Sequence, residues 1–117
     1  MTDSLRIYHN PRCSKSRAAL ALLRERGLEP EVVEYLKTPP DEATLKAVLD
    51  RLGIRPRDLL RTGEAEYREL GLDDPVLSDE QLLQAMVENP KLIERPIVLH
   101  AGKARVGRPP ERVLEIV

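Results

Sequence analysis

The segment that most limits the fold runs from residue 5 to residue 36, where the β-prone run "LRIY" leads through a loop into "SRAALALLRERG" and then "EVVEYL". In the middle piece Ala19, Leu20, Leu22 and Leu23 recur at helical spacing and Gly27 supplies a stop. The outer pieces carry the Ile, Val and Tyr residues that suit a pleated sheet. Strand, helix and strand over so short a stretch predict a right-handed parallel crossover.

The pattern then changes. "TPPDEATLKAVLDRLG" places Leu45, Val48, Leu49 and Leu52 on one helical face, with Thr38 or Asp41 as cap and Gly53 as stop. "RPRDLLRTGEAEYRELGL" reads as short helical pieces broken at Gly63 and Gly71, and "SDEQLLQAMVENP" opens with a Ser78/Gln81 capping box and ends before Pro90. Residues 38 to 90 are thus expected to be a helical block. "RPIVLH" and "KARVG" follow as strands around the turn "AG", and "RPPERVLEIV" as a helix started by proline. The order βαβ, helices, ββα predicts an α/β, thioredoxin-like fold: a four-stranded mixed sheet with an inserted helical block. At 117 residues one domain, 1–117, is expected, since one core serves a chain of this size.

Several functions are disfavoured by composition. Lys plus Arg number 19 against 20 Asp plus Glu, which argues against nucleic acid as the main ligand. Apolar runs fall far short of the ~20 residues that span a bilayer, and "MTDSLRIYHN" lacks a signal-peptide hydrophobic region, so a soluble, cytoplasmic protein is expected, with no membrane partner. The histidines and the cysteine are scattered without ligand spacing, so no metal is implied. A single cysteine, Cys13, excludes any disulfide shuttled within the chain, and a redox role would need an external thiol.

Cys13 lies in "HNPRCSKSR" among Asn10, Pro11, Arg12, Ser14, Lys15 and Ser16, poor material for a core, which favours a functional thiol over a packing residue. A nucleophilic cysteine needs a pKa below the usual ~8.5. Three neighbours are expected to lower it: the free N–H groups where the loop enters the helix, Arg17 one turn on, and a cationic His9 across the loop. The same N–H groups and arginine form a cradle for an oxyanion. Ser14 and Ser16 are equally readable as donors to the thiolate or as first-turn residues. His100 is expected at a hairpin turn with no chemistry, and Tyr8, Tyr35 and Tyr67 as packing aromatics with exposed hydroxyls.

Low-molecular-weight phosphatases put five residues between cysteine and arginine; here there are three. "IYHNPRCSKSR" instead resembles the glutaredoxin-coupled arsenate reductases of thioredoxin fold, whose signature is His, three residues, Cys, three residues, Arg. The resemblance continues through "YLKTPP", "LLRTGEAEYRELGL", "NPKLIERPIV" and "ARVGRP", in order and nearly end to end, although longer members continue past the position of Val117. It implies that Cys13 is the nucleophile, that His9 tunes the thiolate, that Arg17 closes the signature, and that Arg61, Arg95 and Arg108 hold the oxyanion. It also implies a cis Arg95–Pro96 bond facing the cysteine.

The implied activity is reduction of arsenate to arsenite through a covalent Cys13–arsenate intermediate, with no bound cofactor, glutathione as co-substrate and glutaredoxin as partner. Two alternatives keep the fold. One is an orphan glutathione-dependent thiol reductase, which has no need of three oxyanion arginines. The other is an Spx-type regulator that docks on RNA polymerase, whose Cys-x-x-Cys switch is absent from "CSKS".

Overall fold

Strand β1 (Arg6–His9) runs parallel to β2 (Glu31–Glu34), with Ile7 beside Val32 and His9 beside Glu34. Helix α1 (Ser14–Glu25) makes the crossover between them. These elements belong to a computed structural model that describes residues 5–117. The chain divides into two compact units, one holding the chain up to Thr38 with Arg95–Val117, the other Pro39–Glu94.

In the first unit β3 (Ile97–His100) pairs antiparallel with β1, and β4 (Lys103–Val106) antiparallel with β3, giving a four-stranded mixed sheet in the order β2-β1-β3-β4. The β3–β4 turn carries positive φ at Ala101 (51°) and Gly102 (78°), the geometry that matches the twist of a two-residue hairpin. Helix α1 buries Ser16, Ala19, Leu20 and Leu23, a stripe at positions i, i+3, i+4 and i+7. Three of these pack with Ile7, Val98, Val113 and Ile116 into one core, each fully buried aliphatic side chain contributing about 1.5–3 kcal/mol. Gly27 ends the helix at φ 77°, and the N–H of Leu28 returns to the carbonyl of Leu23 at 3.1 Å.

The C-terminal helix differs from expectation in type: Pro110–Ile116 is a 3₁₀ helix. Its buried residues, Pro110, Val113 and Ile116, recur every third position, and three residues per turn put all three on one side. His100, the last residue of β3, stands at the hairpin turn as expected. Its Nδ1 lies 2.7 Å from the carbonyl oxygen of Ile116, so that nitrogen carries the proton and ties the chain end to the sheet. Tyr35 departs too, being 1% exposed with its hydroxyl inside.

The second unit is helical: α2 (Glu42–Leu52), α3 (Pro56–Leu59), α4 (Ala65–Glu69) and α5 (Asp79–Glu88), then a 3₁₀ turn at Pro90–Leu92. Asp41 caps α2 by accepting the Thr44 N–H at 2.8 Å, and Gly53 stops it at φ 69°. The Ser78/Gln81 box is present in both directions, at 3.2 and 2.8 Å. Leu45, Val48 and Leu49 of α2, Leu59 of α3, Leu82, Leu83 and Met86 of α5 and Leu92 are buried. Among the described residues no helix is long and apolar enough to cross a membrane.

Candidate active site

The loop between β1 and α1 owes its shape to Asn10. Its side-chain oxygen accepts the N–H of Arg12 at 3.0 Å, and its carbonyl accepts the N–H of Cys13 at 3.0 Å, so the chain turns sharply and delivers Cys13 to the N-cap of α1. The carbonyl of Cys13 takes the first helical bond, from Arg17 at 3.0 Å. Its side chain caps no backbone N–H, and the N–H groups of the first turn, which have no acceptor inside the helix, face the sulfur.

Burial of the thiol opposes ionisation, but the backbone N–H of Ser16, the guanidinium of Arg95 and the N–H of Lys15 outweigh it and bring Cys13 below the ordinary thiol range. Arg108 approaches the same sulfur, its Nη2 3.7 Å from Sγ, while its Nε donates to the carbonyl of Arg95 at 2.9 Å. Arg95 is thus the guanidinium that lowers the thiol pKa, and Arg108 adds a side-chain contact to the same sulfur. Arg95 precedes a cis proline, as the resemblance implies, and Arg108–Pro109 is cis as well. Gly107 lies between them: a Cβ there would stand 2.8 Å from Cγ of Pro96, so only glycine lets β4 pass the proline. The first unit thus gathers Cys13, Arg95 and Arg108.

Two expectations, for His9 and Arg17, are corrected, and the open reading of Ser16 is decided. His9 is buried, and the loss of hydration outweighs nearby Glu34 and, with Arg24 and Arg17, pushes its pKa down, so the ring is neutral rather than cationic. Ser16 does not offer its hydroxyl to the thiolate. Fully buried, it accepts the Asn10 N–H at 3.0 Å and sits 2.6 Å from Nδ1 of His9, the acceptor its own hydrogen requires, which leaves the ring proton on Nε2. Arg17 donates to the carbonyl of Pro11 at 2.9 Å, bracing the loop. Arg61 belongs to the helical unit, where its Nε meets Glu64 at 3.3 Å and its Nη1 meets Glu94 at 2.6 Å.

The pairing of Ser16 with His9 is the feature that sequence reasoning missed. A signal for it existed: a serine on the apolar stripe of α1 must find a partner indoors. Among the described residues no cluster of His, Cys, Asp or Glu could hold a metal ion.

A model of the ArsC family matches residues 8–116. The chain belongs to the ArsC family. It is 63% identical over its whole length to YfgD of Escherichia coli K12, an uncharacterized protein, of which it covers 99%. It is 54% identical to an arsenate reductase of Neisseria meningitidis serogroup A, over 93% of this chain and 94% of that one. The structure of an arsenate reductase from Vibrio cholerae superposes with a TM-score of 0.95 at 54% identity, covering 97% of this chain and 98% of the other. The fold of this ArsC-family chain is accordingly the α/β, thioredoxin-like one that its element order predicts.

Proposed function

We propose that the chain reduces arsenate to arsenite in the cytosol, with Cys13 as nucleophile and thiols as the electron source. The observation that supports this most is the approach of two arginines to one lowered-pKa cysteine at a helix N-terminus. A thiolate needs only one of them, whereas an arsenate dianion uses both and the N–H groups besides. The similarity to named arsenate reductases supports the same substrate.

In this reading the Cys13 thiolate attacks arsenic and water departs, forming a Cys13–S–As(V) ester whose charge Arg95 and Arg108 hold. The resemblance assigns Arg61 to the same oxyanion. Glutathione then attacks the sulfur of Cys13. Its thiol and that of Cys13 give up one electron each, a mixed disulfide forms, and the S–As bond breaks with its electron pair on arsenic, which leaves as arsenite. Glutaredoxin restores the thiolate by thiol–disulfide exchange. His9, neutral and bonded to Ser16, holds the loop rather than supplying charge.

The test is arsenate-dependent NADPH oxidation by the purified protein with glutathione, glutaredoxin and glutathione reductase. Turnover is expected with the wild type, absent in Cys13→Ser and at least ~100-fold lower in Arg95→Ala, the scale of losing an oxyanion donor. No turnover above background, with a thiol that still forms a glutathione mixed disulfide, overturns the reading and leaves an orphan thiol reductase.

A further inference from the structure

The near-zero net charge of the chain hides an uneven distribution. The unit that carries Cys13 holds 12 Lys and Arg against seven Asp and Glu, and the helical unit holds seven against 13. Much of the first unit's positive charge is neutralised where it stands: Arg6, Arg24, Lys37, Arg105 and Arg112 each lie within 4.0 Å of a glutamate. Arg12 and Lys15 do not. Both are exposed, and among the described residues neither meets a carboxylate.

Their place in the chain gives these two charges a use. Arg12 is joined to Cys13 by one peptide bond, and Lys15 stands in the first turn of α1, where its backbone N–H is a donor to the Cys13 sulfur. An exposed cation without a counter-ion keeps its field, which at physiological ionic strength extends over a Debye length of about 8 Å. Two such charges flanking one nucleophile raise the local concentration of anions and leave that of neutral molecules unaltered. We propose that Arg12 and Lys15 set the charge selectivity of Cys13: they draw anionic substrates to the thiolate from solvent, while Arg95 and Arg108 hold the anion once it has arrived. This selectivity deepens the reading of Cys13 as a nucleophile toward an oxyanion and rests on it, but it does not require that oxyanion to be arsenate.

Cys13 is the single cysteine of the chain, so alkylation reports on it alone. Iodoacetate and iodoacetamide differ by one negative charge and little in size. With either, the thiolate attacks the methylene carbon, an S–C bond forms, and the C–I bond breaks with its electron pair on iodide. The ratio of the two rate constants cancels the thiolate fraction and the exposure of the sulfur, and what remains is the local potential. Measured by mass spectrometry in about 0.1 M salt, the iodoacetate/iodoacetamide ratio is expected to fall about twofold in each of Arg12→Gln and Lys15→Gln, the scale of one unit charge a few ångströms away in a medium near the dielectric of water. Arg12→Lys should keep the wild-type ratio, and about 1 M salt, with a Debye length of about 3 Å, should lower it in the wild type. Lys103→Gln should leave it unchanged, because Lys103 pairs with His100 at the Arg6 end of the sheet, whereas Cys13 follows His9 at the other.

An unchanged ratio in both glutamine variants overturns the proposal. An equal fall in Lys103→Gln overturns it as well, since net charge would then be the cause, and so does an equal fall in Arg12→Lys, which would make shape the cause. A fall in one glutamine variant alone overturns the assignment of the other residue. Arsenate turnover is decided separately by the coupled assay: a ratio that responds without turnover leaves an anion-selective cysteine with a different substrate, and turnover without a response leaves a reductase whose substrate is not selected by Arg12 or Lys15.

Discussion

Arg108 is held by the residue it works beside: its Nε donates to the backbone carbonyl of Arg95 at 2.9 Å, while its Nη2 lies 3.7 Å from Cys13 Sγ. Arg95 is the arginine whose hydrogen bond and charge lower the thiol pKa. The apparent pKa of Cys13, read from thiolate absorbance against pH, should rise in Arg95→Ala and clearly less in Arg108→Ala. An equal rise in both would contradict this division.

Ser16 predicts a stability effect out of proportion to its size. Removing its hydroxyl leaves the Asn10 N–H and Nδ1 of His9 without the partner they share inside the protein. Ser16→Ala should cost about 1–3 kcal/mol in urea unfolding, whereas Ser14→Ala, at an exposed residue of the same helix, should change little. Equal effects at the two serines would remove the case for a buried hydroxyl bridge.

His9 sets a pH dependence. In the unfolded chain it titrates near 6.5, while in the fold its pKa is lower because burial disfavours the charged ring. Between those two values the unfolded chain holds a proton that the folded one does not, so stability is full above 6.5 and declines as pH falls through it toward the folded value. Urea midpoints taken from about pH 7.5 downward should show this decline in the wild type, and His9→Gln should flatten it.

Gly107 offers a steric test of the scaffold behind the arginines. An added methyl meets Pro96 at 2.8 Å and Val113 at 3.0 Å, whereas at Gly63 nothing lies within 4 Å. Gly107→Ala should lose about 1–3 kcal/mol by overpacking, measured by thermal or urea unfolding, and Gly63→Ala should not. Activity falling in Gly107→Ala before stability does would mean that the Arg95–Pro96 and Arg108–Pro109 segments are displaced.

What could be read from the sequence was mostly local chemistry. Gly27 and Gly53 stop helices because their positive φ is cheap only for glycine, and the Ser78/Gln81 box needs only neighbouring residues. The 3₁₀ helix was legible in principle, since Pro110, Val113 and Ile116 repeat at three, but a proline-started apolar run looks the same for an α-helix until the three-residue period is counted. The state of His9 was not legible, because its burial is set by elements that meet it only in the fold. Arg17 misled for a related reason: one helical turn fixes which face a side chain leaves from, not which acceptor it finds, and the carbonyl of Pro11 wins.

Arg61 bears on how any loss of activity is to be interpreted. Its guanidinium meets Glu64 at 3.3 Å and Glu94 at 2.6 Å, with all three side chains about a quarter exposed or less. Taking the arginine away leaves two partly buried carboxylates without their shared cation, so Arg61→Ala should destabilise the protein by about 1–3 kcal/mol. Arg61→Lys should recover only part of this, since one ammonium cannot reproduce a fork that reaches two acids. If the proposed oxyanion role also holds, Arg61→Lys, assayed well below its unfolding midpoint, should show a raised KM for arsenate and an unchanged KM for glutathione. A normal arsenate KM alongside the stability loss would assign Arg61 to the helical unit's structure alone and leave Arg95 and Arg108 as the arginines of the site.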